Sequence, residues 1–217
     1  MAANDAGPPY VVALDAGHGG HDVGAEGVIQ EVTLTEGTVA HLYKLLQEND
    51  SFSPVLCREL GAGATIDERV ALAKEAGAAL LLSVHGNTDP VYNSSGFECF
   101  PTPPGRAGHE QSLQFATLLA TEMQSAGSGM RGENGVRYLY YIEQKDGSYE
   151  KMYREVSDTN VYTDKSFGIL ERASCPAVLA EQCYITNEGD VQAFGTESGC
   201  QKAAECYYRA ICAYFEV

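Results

Sequence analysis

Three short apolar runs, each ending in a residue able to do chemistry, constrain this chain more than any other feature of it. Val11-Val12-Ala13-Leu14 runs into Asp15-Ala16-Gly17-His18-Gly19-Gly20, Ala79 to Val84 runs into His85-Gly86-Asn87, and Ala177-Val178-Leu179-Ala180 runs into Glu181. Apolar runs of this length without polar alternation fit strands covered on both faces, as in a parallel sheet. Parallel strands need crossover connections, and these bring the carboxyl ends to one edge, where open α/β sheets bind ligands. His18, His85 and Glu181 should therefore meet. Glu31 lies in the loop after the first strand, where the chain enters its first helix, and starts from the same edge.

The segments between these runs supply the crossovers. Leu34 to Asn49 places Val39, Leu42, Leu45 and Leu46 at helical spacing, and Ser53 to Cys57 reads as a second strand. Thr65-Ile66-Asp67-Glu68 is a capping-box pattern that opens a helix ending at about Gly77, and the third strand, 79–84, follows at once. Gly96 to Phe100 reads as a further strand, and a helix is expected over about 109–125 after a proline-rich break. The stretch 131–163 is rich in tyrosine and is read as an excursion, with a strand over Val136 to Ile142 and a turn at Gln144-Lys145-Asp146-Gly147. The core resumes at Phe167 to Leu170, continues through 177–182, and closes with a helix from about Gly199 to Phe215. The expectation is one α/β domain over 10–217, a mostly parallel twisted sheet with helices on both faces and the active site at the carboxyl edge.

Composition excludes several functions. A net charge of −16 argues against nucleic acid, which needs clustered Lys and Arg, and against attraction to anionic membrane surfaces. No apolar run approaches the roughly 20 residues of a membrane span. Met1 to Pro9 is small and polar, without a basic or apolar leader pattern, so it is expected to be a flexible segment rather than a signal peptide. The seven cysteines include no C-x-x-C pair, and Cys200, Cys206 and Cys212 sit six apart on one helix and point in different directions. They read as buried, reduced thiols.

Two His and one carboxylate with an open fourth position form a catalytic zinc set, and a further carboxylate beside it can move the proton of the attacking water. His18, Glu31 and His85 divide naturally as ligands, with Glu181 as the base. A loop histidine or an acidic residue at a helix start is ordinary taken singly, but an ionised carboxylate inside the run Ala177 to Cys183 is costly to bury unless paired or shifted. His21 should be swung away by the Gly19-Gly20 turn, while His41 and His109 read as surface residues.

Asp15-Ala16-Gly17-His18-Gly19-Gly20-His21-Asp22 with Gly24-Ala25, Ser83-Val84-His85-Gly86-Asn87, and Pro176 to Glu181 followed by Ile185-Thr186-Asn187 resemble the signatures of zinc-dependent N-acetylmuramoyl-L-alanine amidases of the amidase-3 type. Counted from Glu31, the leucines of the first helix match that family as well, and the resemblance spans roughly residues 10–215. It implies one zinc ion per chain held by His18, Glu31 and His85, Glu181 as general acid/base, and cleavage of the amide between N-acetylmuramic acid and the L-alanine of the peptidoglycan stem peptide. The sequence departs from the family where Gly86 replaces an alanine, where Val32-Thr33-Leu34 follows Glu31, and where Gln182-Cys183-Tyr184 follows Glu181. Asn87, Tyr138, Tyr140 and Tyr141 are expected to line the substrate groove, since aromatic rings stack on sugar and peptide faces. Two other readings use the same residues: a zinc peptidase cutting within the stem peptide, and a non-catalytic wall-binding module. The second sits poorly with the presence of all four chemical residues. The expected partner is peptidoglycan, met by a monomer in the bacterial wall after secretion or holin-assisted release, as an autolysin, sporulation enzyme or phage endolysin.

Overall fold

Alternation along the strands decides which side chains reach which layer. In this computed structural model, which describes residues 7–217, β1 (Tyr10–Ala16) lies parallel to β2 (Phe52–Leu56) and to β3 (Leu80–Asn87). β3 in turn pairs in parallel with a strand near the C-terminus, Ala177–Tyr184, which becomes β7 in chain order after β4 (Glu98–Pro101), β5 (Arg137–Glu143) and β6 (Tyr149–Glu155). β4 closes the edge antiparallel to β7, giving the order β2-β1-β3-β7-β4. The expectation for residues 1–9 falls mostly on residues 1–6, outside the described residues.

Val12, Leu14 and Ala16 of β1, Leu80, Leu82 and Val84 of β3, and Val178 and Ala180 of β7 point to one face. There they meet α1 (Glu31–Gln47), α3 (His109–Ser125) and the C-terminal helix α5 (Glu197–Phe215) through residues such as Leu34, Leu42, Phe115, Leu119, Tyr207 and Ile211. Each fully buried leucine in this layer contributes roughly 1.5–3 kcal/mol. The intervening residues Ala13, Leu81, Ala177 and Leu179 point to the opposite face, where a smaller apolar cluster includes Phe100, Leu139, Ile169 and Leu170. That face carries α2 (Ile66–Glu75), α4 (Gly168–Arg172) and the β5–β6 hairpin. Because side chains alternate with a period of two, Asp15, Ser83, His85 and Glu181 must lie on this thinner side.

Local details follow from capping and turn chemistry. Thr65 and Glu68 form the expected reciprocal capping box at the start of α2. Gln144 N donates to Ser148 O at 2.8 Å across the hairpin turn, where Gly147 has φ of 81°. α1 begins at Glu31, earlier than its apolar spacing predicts, so Glu31 occupies the first helical turn rather than the loop before it. β3 runs past residue 84, so His85 lies within the strand, and the pairing with β7 shifts register between His85 and Asn87. His109 is not a surface residue: its Nδ1–H donates to Thr102 O at 2.8 Å and its ring packs 5.8 Å from that of Tyr138. All seven cysteines are free thiols, with Cys57, Cys99, Cys183, Cys200 and Cys206 buried.

Candidate metal centre and catalytic carboxylate

His18 sits where β1 has just ended, in the left-handed region at φ of 62°. A side chain with a Cβ adopts that conformation only under constraint, and two buried arginines provide it. From α2, Arg69 donates through Nη1 to Ala16 O at 2.6 Å and to Asp15 Oδ1 at 2.7 Å, through Nη2 to His18 O at 2.5 Å, and through Nε to Ala64 O at 3.0 Å. Arg58 donates through Nε to Ala16 O at 2.9 Å and through Nη1 to Glu36 Oε1 at 2.7 Å. Thr35 Oγ1 donates to the remaining carbonyl, Gly17 O, at 2.9 Å. Ser83 Oγ completes the environment of Asp15 by donating to Oδ2 at 2.6 Å.

The imidazole of His18 is oriented in turn. Its Nδ1–H donates to Asp22 Oδ2 at 2.9 Å, which turns Nε2 toward Glu31 Oε1 at 3.0 Å. His85 Nδ1 reaches the same oxygen at 2.9 Å from β3, and Gly86 N donates to it at 3.1 Å. The second carboxylate oxygen accepts from Ala25 N at 3.1 Å. Small residues make this approach possible. A methyl group at Gly17 would collide with the His85 ring, and at Gly24, where φ is 70°, one would lie 2.7 Å from His18 Cδ2. Gly86 is equally enclosed, because a methyl there would sit 2.7 Å from Ile185 Cγ2. The family's alanine is thus replaced by glycine at a place with no room for more.

One donor atom each from His18, Glu31 and His85 lies within 4.8 Å of the others. The electrostatics are those of a cation site. The hydrogen bond to Glu31 raises the His18 pKa to about 9, aided by Asp22. Burial alone would raise the Glu31 carboxyl, but its hydrogen bonds to both imidazoles hold it well below the usual range. Burial opposes the proton on His85, yet Glu31 and the nearby charge of Glu181 raise its pKa. Protons occupy the position of positive charge between these donors, and a divalent ion binding such a set displaces them. A bridging carboxylate, two imidazoles and a carboxylate hydrogen-bonded behind one of them fit zinc.

Glu181 stands directly beside His85, its register partner on β7. Its Oε2 is buried with no hydrogen-bond partner. Burial pushes the pKa up to about 7, partly offset by the charge of His85. A carboxyl with an unengaged oxygen and a pKa near neutrality can both take and give a proton at working pH.

The residues expected to line the groove divide. Tyr138 and Tyr140 are 2% and 0% exposed, so the expectation that their rings face substrate is corrected. They point to the hairpin face that packs on His109 and Tyr162. The sequence shows an aromatic cluster but not which hairpin face each ring takes. Tyr141, on the other face, is half-buried and lies edge-on to Phe167 at 6.0 Å. Asn87 is half-buried; its Nδ2 donates to Glu98 Oε1 at 2.6 Å and its Oδ1 accepts from Thr88 N at 2.8 Å. Asp15, Asp22, Arg58 and Arg69 were not singled out by sequence reasoning. The test applied to Glu181, a charge at the end of an apolar run, would have found Asp15.

Beside His18 and His85 a pocket of about 360 Å³ opens between α2 and α4, walled by Ala64, Ile66, Phe167, Ile169 and Leu179. Comparison with known proteins agrees with this architecture. In the solved catalytic domain of CwlV, an N-acetylmuramoyl-L-alanine amidase from Bacillus (Paenibacillus) polymyxa var. colistinus, the same fold recurs with a TM-score of 0.75 at 24% identity, covering 96% of this chain and 99% of that one. An uncharacterized protein of Bacillus subtilis is 30% identical over 207 residues, 94% of this chain and 84% of its own length. A putative N-acetylmuramoyl-L-alanine amidase of Buchnera aphidicola is 29% identical over 182 residues, covering 82% and 83%. The family model described as N-acetylmuramoyl-L-alanine amidase matches residues 12–213, from within the first strand almost to the end of the last helix, and the chain belongs to that family.

Proposed function

We propose that this peptidoglycan amidase cleaves the bond between the lactyl carbonyl of N-acetylmuramic acid and the L-alanine nitrogen, with His18, Glu31 and His85 holding one zinc ion and Glu181 moving the proton. The observation that carries the reading is the buried, unpartnered Oε2 of Glu181 one strand from His85. Zinc held by those three donors would polarise the scissile carbonyl and make a water molecule acidic enough to react near neutral pH. Glu181 accepts a proton from the attacking water as the new carbon–oxygen bond forms. It returns that proton to the nitrogen as the carbon–nitrogen bond breaks, leaving a lactyl carboxylate and a free L-alanine amino terminus. A carboxyl whose pKa burial raises to about 7 suits both transfers. Asp22 keeps the His18 imidazole in the orientation that binding needs, and Arg69 and Arg58 fix the backbone that carries His18.

Asn87 and Tyr141, each with part of its surface open, remain the groove residues of this reading. The chain works as a monomer on wall material that it reaches by secretion or holin-assisted release. No helix among the described residues is long and apolar enough to cross a membrane. The test is digestion of purified peptidoglycan by zinc-loaded, chelated and Glu181→Gln protein, with mass analysis of the products. Intact stem peptides with free L-alanine amino termini, from the zinc-loaded protein alone, are the expected result. Cuts inside the stem peptide would replace the reading with a zinc peptidase. Wall binding without release by the zinc-loaded protein would replace it with a binding module.

A further inference from the structure

We infer that the β5–β6 hairpin forms the stem-peptide side of the active site and that Lys151, beside Tyr141, binds a free carboxylate on that peptide. This rests on the proton-transfer role of Glu181 given above. A group that protonates the leaving nitrogen sits next to it, so the peptide leaves on the Glu181 side. Across the sheet edge the order is β1, β3, β7, β4, with His18 after β1, His85 on β3 and Glu181 on β7. Beyond Glu181 come β4 and the hairpin that packs on it.

The hairpin is fastened at that place by a chain of contacts. Glu98 of β4 is in direct register with Glu181. Arg137 of β5 donates to Glu98 Oε2 at 3.1 Å, and its guanidinium lies 4.6 Å over the ring of Tyr153 on β6. Directly opposed residues of an antiparallel pair share a face. Arg137, Leu139 and Tyr141 therefore share one with Glu155, Tyr153 and Lys151, and this is the face turned to Glu98. Lys151 is exposed opposite Tyr141. Tyr141 beside it lies edge-on at 6.0 Å to Phe167, which walls the pocket next to His18 and His85.

The pocket beside His18 and His85 is lined by the carboxylates of Asp15 and Asp22 as well as by Ile66, Phe167, Ile169 and Leu179, and its one cation outside the imidazoles, Arg69, is consumed by Asp15 and three backbone carbonyls. It offers an anionic group no free cation. In a chain of net charge −16, Lys151 is an exposed cation on the hairpin face turned to Glu98, where the anionic half must pass. Stem peptides carry carboxylates that some walls convert to carboxamides, so the two forms should be distinguished here.

The experiment compares two soluble muropeptides, identical except that the residue after L-alanine carries a carboxylate in one and a carboxamide in the other. Zinc-loaded wild-type protein should favour the carboxylate by about threefold in kcat/KM, through KM, the size of a solvent-exposed ion pair. The preference should fade in high salt. Lys151→Met should abolish the ratio and Lys151→Glu should invert it; the position is exposed and tolerates either change. Equal cleavage of the two substrates by wild type, or an unchanged ratio in Lys151→Met, would overturn the inference and leave the amidase reading intact. Failure of wild type to cleave the amide in either substrate would remove the amidase reading and the inference with it.

Discussion

Replacing Arg69 with leucine tests whether the ligand loop is held by its buried guanidinium. Arg69 is 6% exposed and Asp15 is 2% exposed. The substitution removes four hydrogen bonds, two of them to carbonyls on either side of Gly17, and leaves Asp15 with Ser83 as its side-chain partner. Removing one partner of a buried ion pair costs about 3–5 kcal/mol, chiefly because the surviving charge is stranded. That is a large part of the 5–15 kcal/mol typical of a folded domain. Urea unfolding of metal-free protein should therefore show a midpoint shift of that size for Arg69→Leu. Asp15→Asn in the same background should recover about 2 kcal/mol, since the stranded charge is gone. Zinc affinity, measured by competition with a chromophoric chelator, should remain lowered in the double variant, because His18 O has still lost its donor. A cost below about 1 kcal/mol, or additive losses in the double variant, would show that the arginine does not hold the loop in this way.

Glu181→Gln should lower kcat by about a hundredfold to ten-thousandfold with zinc affinity unchanged, as loss of a general acid/base does; loss of zinc together with activity would make Glu181 a ligand. Metal-free protein should lose stability as pH rises from 6.5 to about 9, because folded His18 keeps its proton, through Glu31, over a range where the unfolded chain has released it. Zinc loading should remove that slope, since the ion takes the proton's place, and a slope persisting in calorimetry of the loaded protein would contradict the assigned ligand set. Tyr140→Phe deletes a buried hydroxyl that has no partner, so unfolding should show it neutral or stabilising by about 1 kcal/mol. Its KM on peptidoglycan should not change; a raised KM would return Tyr140 to the groove. Gly17→Ala, which drives a methyl into the His85 ring, should abolish zinc binding measured by metal analysis after dialysis.

The parallel core and its edge were legible because apolar runs without alternation have few other solutions, and because period-two geometry then sends His85 and Glu181 to the same face. Glu31 was legible as a member of the cluster with His18 and His85, but its place in the first turn of α1 was not, since no side-chain cap announces the helix start and the apolar spacing begins only at Leu34. The tyrosines show the limit more clearly. A run of Tyr138, Tyr140 and Tyr141 looks like one surface, but the strand splits it between two faces, and only the docking of the hairpin on β4 says which is open. Long-range polar partners such as Arg69 and Asp15 lie 54 positions apart, and no local pattern links them.

The three proposed zinc donors all come from residues 18–85, within the segment that forms β2, β1, β3 and the two helices connecting them, whereas Glu181 arrives only with β7. As the chain is synthesised, the means to capture a metal is therefore complete long before the means to use it. An emerging chain that has paired β1 with β3 would bring the three donors together with no proton carrier beside them. The hydrolytic centre is assembled only when the last strand slides in between β3 and β4, so hydrolytic competence is tied to completion of the fold rather than to metal capture.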